Sequence, residues 1–433
     1  MRIISGILDL DGLLAVSEAW RIVRASDLRG GIRENHWLRC HTRSSSNAVQ
    51  AQQKRVDEGA QIEGREKMIE IDGSFGEGGG QIIRTAVALS AITGEEVEIY
   101  NIRANRPNPG LQAQHLNAVK TVAEMTNANV EGLKLRSKRL RFSPGSPKAL
   151  KTDIDIGTAG SITLLLQCVV PVALFANGTT ELTVRGGTDV RWSPPIDFYR
   201  FLFVRAISEM GCDVEISLIK RGYYPRGGGV VRVRVKPVRK LSGFFMMEET
   251  VNDVRGISHC RGLPAHVASR QANSAREILS EHGYRTDILV ETSDENGGGL
   301  SESDGYGGGS VDRSVRGMSR SRKRKSKEGV GSGITLWRNY KSGSALGEPG
   351  KPAEDVGRDA AFSLLRELES ESTVDVHLAD QLIPYIALSD EHSAFKVREI
   401  TGHLRTNIYI VEKFLQKKIS IKKEESFIIE CCD

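Results

Sequence analysis

The 433-residue chain has no apolar run of the ~18 residues that crossing a bilayer requires. Its longest apolar stretch, Ile162 to Ala176, contains Gln167 and Pro171 and reads as a buried helix. Asp9, Asp11 and Glu18 interrupt the first residues, so no secretory-signal pattern is expected there. The six cysteines, at 40, 168, 212, 260, 431 and 432, form no C-x-x-C pair. That argues against a zinc ribbon or a disulfide scaffold and for a reduced, cytoplasmic protein without a membrane partner. A Walker A motif is also missing, since the pair Gly350-Lys351 is followed by proline. The Lys-x-Asp-Gly nucleophile of lysine-based nucleotidyl transferases is absent as well. If the chain activates a nucleotide covalently, histidine is the available nucleophile.

Excess positive charge is confined to one place. Arg313 to Lys327 holds eight basic residues and no acidic one, and removing those eight from the net +5 leaves −3 for the remainder. The body of the chain is therefore no general nucleic-acid sponge, and an anionic ligand must be held by localised arginines. Residues 1–67 lack sustained periodicity and are expected to be a poorly ordered extension, with Met68 as the expected biological start. Residues 297–330, glycine-rich and then basic, are expected to be a disordered loop.

What is present begins with Asp72-Gly73-Ser74-Phe75-Gly76-Glu77-Gly78-Gly79-Gly80-Gln81-Ile82-Ile83-Arg84. Five glycines in eight residues follow an extended Met68–Ile71 segment and precede an apolar helical run. Strand, glycine turn and helix bring backbone N–H groups and a helix N-terminus up to an anion, although a tight structural turn is the plainer alternative. Glu77 and Arg84 add a carboxylate and a guanidinium, the donor types of a metal–phosphate site. Arg103 and Arg106 lie three residues apart at a strand end, where guanidinium groups suit phosphates or form a solvated edge. In Gly402-His403-Leu404-Arg405-Thr406-Asn407 a histidine stands just ahead of a helix, whose dipole favours neutral imidazole. In His377-Leu378-Ala379-Asp380-Gln381 the polar residues open an apolar helix, as a cap or as a lip for a ribose or base. Gln167, within an apolar helix, needs a backbone or ligand partner. Gly222 to Gly229 reads as a hairpin turn.

A helix–turn–strand pattern recurs at Val87–Tyr100, at Val172–Val184 and, more weakly, at Ile386–Val397, which puts Gly76 and Gly160, and Gly94 and Gly178, in equivalent places. Three units packed together would bury a core that one cannot. Residues from Ser242 read as a separate small α/β module, with a helix around Ala265–His282 and a strand Thr286–Glu291.

Together these motifs closely resemble the RNA 3′-terminal phosphate cyclase family. The matching pieces are the 72–84 turn, Ile102-Arg103-Ala104-x-Arg106, Pro109-Gly110-Leu111 with Gln114-His115, and Gly157-x-Ala159-Gly160-Ser161. Gly186-Gly187-Thr188-Asp189, Tyr224-Pro225-x-Gly227-Gly228-Gly229, Leu378-Ala379-Asp380-Gln381 and His403-Leu404-x-Thr406-Asn407 follow in family order. The resemblance implies an α/β fold of three repeated units, each a four-stranded sheet with two helices, plus a small inserted α/β domain. On this pattern the core spans 68–241 and 346–433, and the insert 242–345.

The resemblance also implies an ATP-dependent ligase that converts an RNA 3′-phosphate into a 2′,3′-cyclic phosphate, releasing AMP and diphosphate. By carry-over, His403 takes AMP as a phosphoramidate and passes it to the RNA 3′-phosphate. Gln167, Pro194, His377, Leu378, Ala379, Asp380 and Gln381 match adenylate-holding positions. Arg84, Arg103 and Arg106 match phosphate contacts, and Glu77 a ligand of Mg²⁺ or Mn²⁺. His377 departs from the family pattern, which commonly carries tyrosine near the adenine. Two other classes compete: the catalytically silent cyclase-like protein of ribosome assembly, which lacks the nucleophile, and the enolpyruvyl transferases, which share the repeated architecture. His403 speaks against the first, and the ordered His403 and Leu378–Gln381 motifs against the second.

Overall fold

The computed structural model describes residues 68–250, 252–293 and 329–432. The expectations for residues 1–67, and for nearly all of 297–330, lie outside the described residues.

The first unit runs β1 (Ile69–Asp72), α1 (Gln81–Thr93), β2 (Val97–Tyr100), α2 (Ala113–Thr126), β3 (Asn129–Glu131) and β4 (Leu140–Ser143). Its sheet order is β1-β2-β4-β3, with β1 and β2 parallel and the other pairs antiparallel. The second unit repeats it with β5 (Lys151–Asp155), α3 (Ile162–Leu174), β6 (Thr180–Gly186) and a helical stretch, followed by two strands. That stretch is α4 (Ile196–Phe198), a π-helical turn (Tyr199–Phe203) and α5 (Val204–Glu209). The strands are β7 (Asp213–Lys220) and β8 (Gly229–Lys236), paired antiparallel across the expected hairpin, and the sheet order is β5-β6-β8-β7.

The third unit opens with the two-residue strand β9 (Phe245–Met246), and the chain then leaves it. A fourth sheet follows, from β10 (Val254–Arg261), α6 (His266–Glu281), β11 (Thr286–Ser293), β12 (Gly331–Arg338) and β13 (Lys341–Leu346), with α7 (Ala353–Leu368). Its order is β11-β10-β12-β13, and α7 packs on α6 and β13 around a separate core that includes Leu279, Leu336 and Leu364. The third unit resumes with α8 (Val376–Leu388), β14 (Ser393–Val397), α9 (Gly402–Phe414), β15 (Ile419–Lys423) and β16 (Phe427–Cys431). Its sheet order, β9-β14-β16-β15, completes a third copy of the same topology.

The protein is thus α/β, with three repeated sheet–helix units and an insert. Two edges of the insert differ from the boundaries drawn at 242 and 345. Phe245 and Met246 pair with β14 and belong to the third sheet, whereas Ala353–Leu368 packs on the inserted sheet. The short strand β9 carries almost no periodicity, which is why composition alone missed it. Gly76 and Gly160 are not equivalent: Gly160 directly precedes the α3 cap Ser161, but Gly76 lies well ahead of the α1 cap Gly80.

Local chemistry sets the helix starts that build the site. Ser161 accepts from Leu164 N, Asp375 from His377 N and Leu378 N, and Thr401 from Leu404 N. Helix α1 begins at Gly80 without a side-chain cap. A Cβ there would meet His115 Nε2 at 2.1 Å, so only glycine lets α2 approach this closely. Helix α1 packs on α2, α3 and α9, and α9 packs on α8, so the three units meet around one helix.

Candidate active site

The open ends of these helices border a single cleft of about 1990 Å³. Glu77, Arg84, Arg103, Arg106, Gln167, Pro194, His377, Asp380, Gln381 and His403 all line it, although they come from distant parts of the chain. Leu378 and Ala379 do not; their side chains are buried in the main core at 0% and 1% exposure. The segment His377–Gln381 therefore offers the cleft its polar members only.

His403 lies in the first turn of α9, and Gln81 Nε2 donates to its backbone carbonyl at 2.7 Å. Its Nε2 stands 3.4 Å from Glu77 Oε2 and its Nδ1 3.7 Å from Asp380 Oδ2. Burial lowers its pKa below the usual histidine value. Glu77 pulls the other way, and the charges of Arg84, Arg106 and His377 act with burial against it. The helix N-terminus favours the same neutral imidazole. A Cβ at Gly402 would come 2.7 Å from Glu77 Oε1, so glycine leaves that carboxylate room to stand against the imidazole.

Asp380 is mostly buried, and burial pushes its pKa up to about 8 against the hydrogen bond from Thr401. The negative charges of Asp375 and Glu77 push in the same upward direction. Thr401 Oγ1 donates to Asp380 Oδ1 at 2.6 Å, and Asn407 Nδ2 donates to the Asp380 carbonyl at 2.5 Å. Asn407 Oδ1 in turn accepts from Thr85 Oγ1 at 2.8 Å, which ties α8, α9 and α1 together. At neutral pH this carboxyl is largely protonated and cannot act as a full counter-charge to His403.

Facing the histidine is a set of cations. Arg84 Nε donates to Gln167 Oε1 at 3.2 Å, and burial lowers Arg84 to about 10, so it stays charged at neutral pH. Gln167 is half-buried, and its Oε1 accepts from this guanidinium. Arg106 Nη2 contacts Glu77 Oε2 at 3.1 Å. Arg103 is turned inward: its Nη1 donates to Asn108 O at 2.6 Å and Gly110 O at 3.2 Å, holding the loop that carries Arg106. Thr163 Oγ1 donates to Pro194 O at 2.8 Å and so anchors that turn on α3. Gln381 Nε2 donates to His377 O at 3.1 Å, but its buried Oε1 has no partner among the described residues; nor has Gln81 Oε1.

Sequence reasoning missed a second constellation at the junction of the second unit and the insert. Buried Arg221 reaches Asp189 at 3.2 Å, Asp197 at 2.7 Å and Glu291 of β11 at 2.9 Å. Its charge holds Glu291 below the usual carboxylate range against the cost of burial. His259, which burial lowers to about 3, shares a hydrogen bond of 2.7 Å with Tyr223. Asp189 was quoted within a motif, but nothing in its spacing pointed to Arg221.

Among the described residues the one three-ligand metal cluster is His392, Glu430 and Cys432, on the third sheet. Glu77 is instead a single carboxylate, half-exposed on the cleft and paired with Arg106 at 3.1 Å. One carboxylate could hold a divalent ion only with phosphate oxygens and water completing its shell, as Mg²⁺ often binds.

Fold and site together define an α/β repeat protein with an arginine-lined cleft shared by its three units. A family model described as RNA 3′-terminal phosphate cyclase matches residues 75–421, and the chain belongs to this family. An Archaeoglobus fulgidus protein named RNA 3′-terminal phosphate cyclase is 46% identical over 361 residues, covering 83% of this chain and 100% of its own length. Proteins of the same name from Methanosarcina mazei and Pyrobaculum aerophilum are 47% and 45% identical. The matches cover 83% and 84% of this chain, and 98% and 97% of those proteins. No described helix is long and apolar enough to cross a membrane.

Proposed function

We propose that this chain uses ATP to convert an RNA 3′-terminal phosphate into a 2′,3′-cyclic phosphate. The observation that carries the reading is His403 itself: a half-exposed imidazole kept neutral at a helix N-terminus, facing Arg84 and Arg106 across a cleft. Its Nε2 attacks the α-phosphorus, a P–N bond forms, and the bond to diphosphate breaks. An oxygen of the RNA 3′-phosphate then attacks that phosphorus and releases the imidazole. Finally the neighbouring 2′-hydroxyl attacks the activated 3′-phosphorus, loses its proton, and AMP departs.

Arg84 and Arg106 would neutralise the charge that builds on phosphoryl oxygens, and Arg103 would keep Arg106 in place. Glu77 would hold Mg²⁺ or Mn²⁺, which supplies further charge neutralisation at the phosphates. The orphaned Gln381 Oε1 suits a donor from a ribose or an adenine, beside Gln167, Pro194, His377 and Asp380. The backbone of Leu378 and Ala379 shapes that end without their side chains. The non-catalytic ribosome-assembly reading is disfavoured by the presence of His403.

The test is incubation with α-labelled ATP and Mg²⁺ or Mn²⁺. An acid-labile AMP adduct is expected on the intact chain and lost in His403→Ala. No adduct, or equal labelling of the variant, overturns the reading.

A further inference from the structure

Among the described residues, the two most exposed aromatic rings belong to one cleft. Trp192 is 93% exposed and Tyr224 74%, and both line the cavity that contains His403. The Trp192 backbone sits at φ +59°, a left-handed conformation that a bulky side chain disfavours. The fold gives nothing back for this strain, since no described ring stacks on the indole. The turn around it is nonetheless fixed. Ser193 Oγ donates to Val190 O at 2.9 Å, Ile196 N to Thr188 O at 3.0 Å, and Thr163 to Pro194 O at 2.8 Å. Strain that packing does not explain, held by a rigid frame, marks a functional position.

We propose that Trp192 and Tyr224 form a base-stacking platform for the single-stranded RNA that enters the cleft with its 3′-phosphate leading. The proposal rests on the cyclase reading above and assigns the substrate strand its own contact. A nucleic-acid strand is the occupant that the surroundings favour, because Arg106 and Arg191 line the same cleft and suit its phosphates. Every base has a π-face, so exposed indole and phenol rings hold a strand without selecting its sequence. The adenylate would lie at the buried end with Gln381 and meet this turn only at Pro194.

The discriminating variant is Trp192→Gly, studied in the full chain. Glycine suits φ +59°, so a merely structural tryptophan and a strained functional one give different results. The readouts are the anisotropy of a labelled, 3′-phosphorylated single-stranded RNA without ATP, the melting temperature, and adduct formation from labelled ATP alone. We expect RNA affinity to fall by roughly tenfold or more, as loss of base–aromatic stacking does. Melting temperature should hold or rise, Trp192→Phe should recover most of the affinity, and Tyr224→Ala should weaken binding similarly. Unchanged affinity, a lowered melting temperature, or a parallel loss of ATP labelling overturns the platform. If the wild-type chain forms no adduct, the cyclase reading falls while the affinity series still decides the platform.

Discussion

Asp380→Asn should stabilise this protein at alkaline pH, and the size of the gain follows from the carboxyl's surroundings. The folded-state pKa of Asp380 is raised to about 8 from an ordinary 3.8, mainly by burial. A group whose folded pKa lies above its unfolded value contributes stability in full below the unfolded pKa. That contribution is lost as pH rises through the folded one. At ~1.4 kcal/mol per unit, the wild type forfeits up to about 5 kcal/mol between pH 4 and pH 8. The window from pH 5.5 to pH 8.5 contains about 3 kcal/mol of it. Asparagine cannot ionise, and its Oδ1 still accepts from Thr401 Oγ1.

The assay is urea denaturation of both proteins at pH 5.5 and 8.5. The variant's advantage should grow by about 3 kcal/mol toward the higher pH. An advantage equal at both pH values, or larger at pH 5.5, refutes the reasoning. The cost is incurred beside His403, so the same change probes catalysis. Below pH 8 the wild-type carboxyl is mostly neutral, and AMP-adduct formation by Asp380→Asn at pH 6.5 should stay within about tenfold of wild type.

Three further outcomes follow from the same geometry. Arg221→Met should cost about 3–5 kcal/mol by stranding buried carboxylates, with the deficit in melts shrinking as pH falls and Asp189 takes up a proton; a deficit flat in pH would contradict this. Gly402→Ala should displace the Glu77 carboxylate, which would lie 2.7 Å from the new Cβ, and slow adduct formation roughly 10- to 100-fold with little change in melting temperature. Because burial lowers His403, the acid limb of the pH–rate profile for adduct formation should lie below pH 6.5, and a limb at or above that value would argue against a neutral, half-buried nucleophile.

The repeat pattern was legible because α1, α3 and α8 each end in an apolar run before a turn and a strand. The π-helical turn at Tyr199–Phe203 and the two-residue β9 were not legible, since neither carries a period of its own. Within the cleft, residue types and motif order singled out the arginines, Glu77 and His403, which the fold brings together. They could not reveal that Arg103 faces its own loop, that Leu378 and Ala379 turn into the core, or that Asp380 is neutral at pH 7. Each of those depends on which face of an element meets a neighbour across the fold. The strain at Trp192 was invisible for the same reason, as a sequence carries no dihedral angles.

What unites the cleft is one face of α1. Gln81, Arg84 and Thr85 fall at i, i+3 and i+4, so they share a side of the helix, while Ile82, Ile83, Ala86 and Val87 pack into the main core. From that face Gln81 holds the His403 carbonyl, Thr85 holds Asn407, and Arg84 holds Gln167. The first two bonds each span 322 residues and the third 83. The first unit therefore supplies the wall on which the second unit's amide and the third unit's histidine are set. No two units contain the whole arrangement, so the site exists only when all three have docked. A substitution that loosens α9 from α1, such as Thr85→Val, should then disorder His403 while leaving the arginines in place.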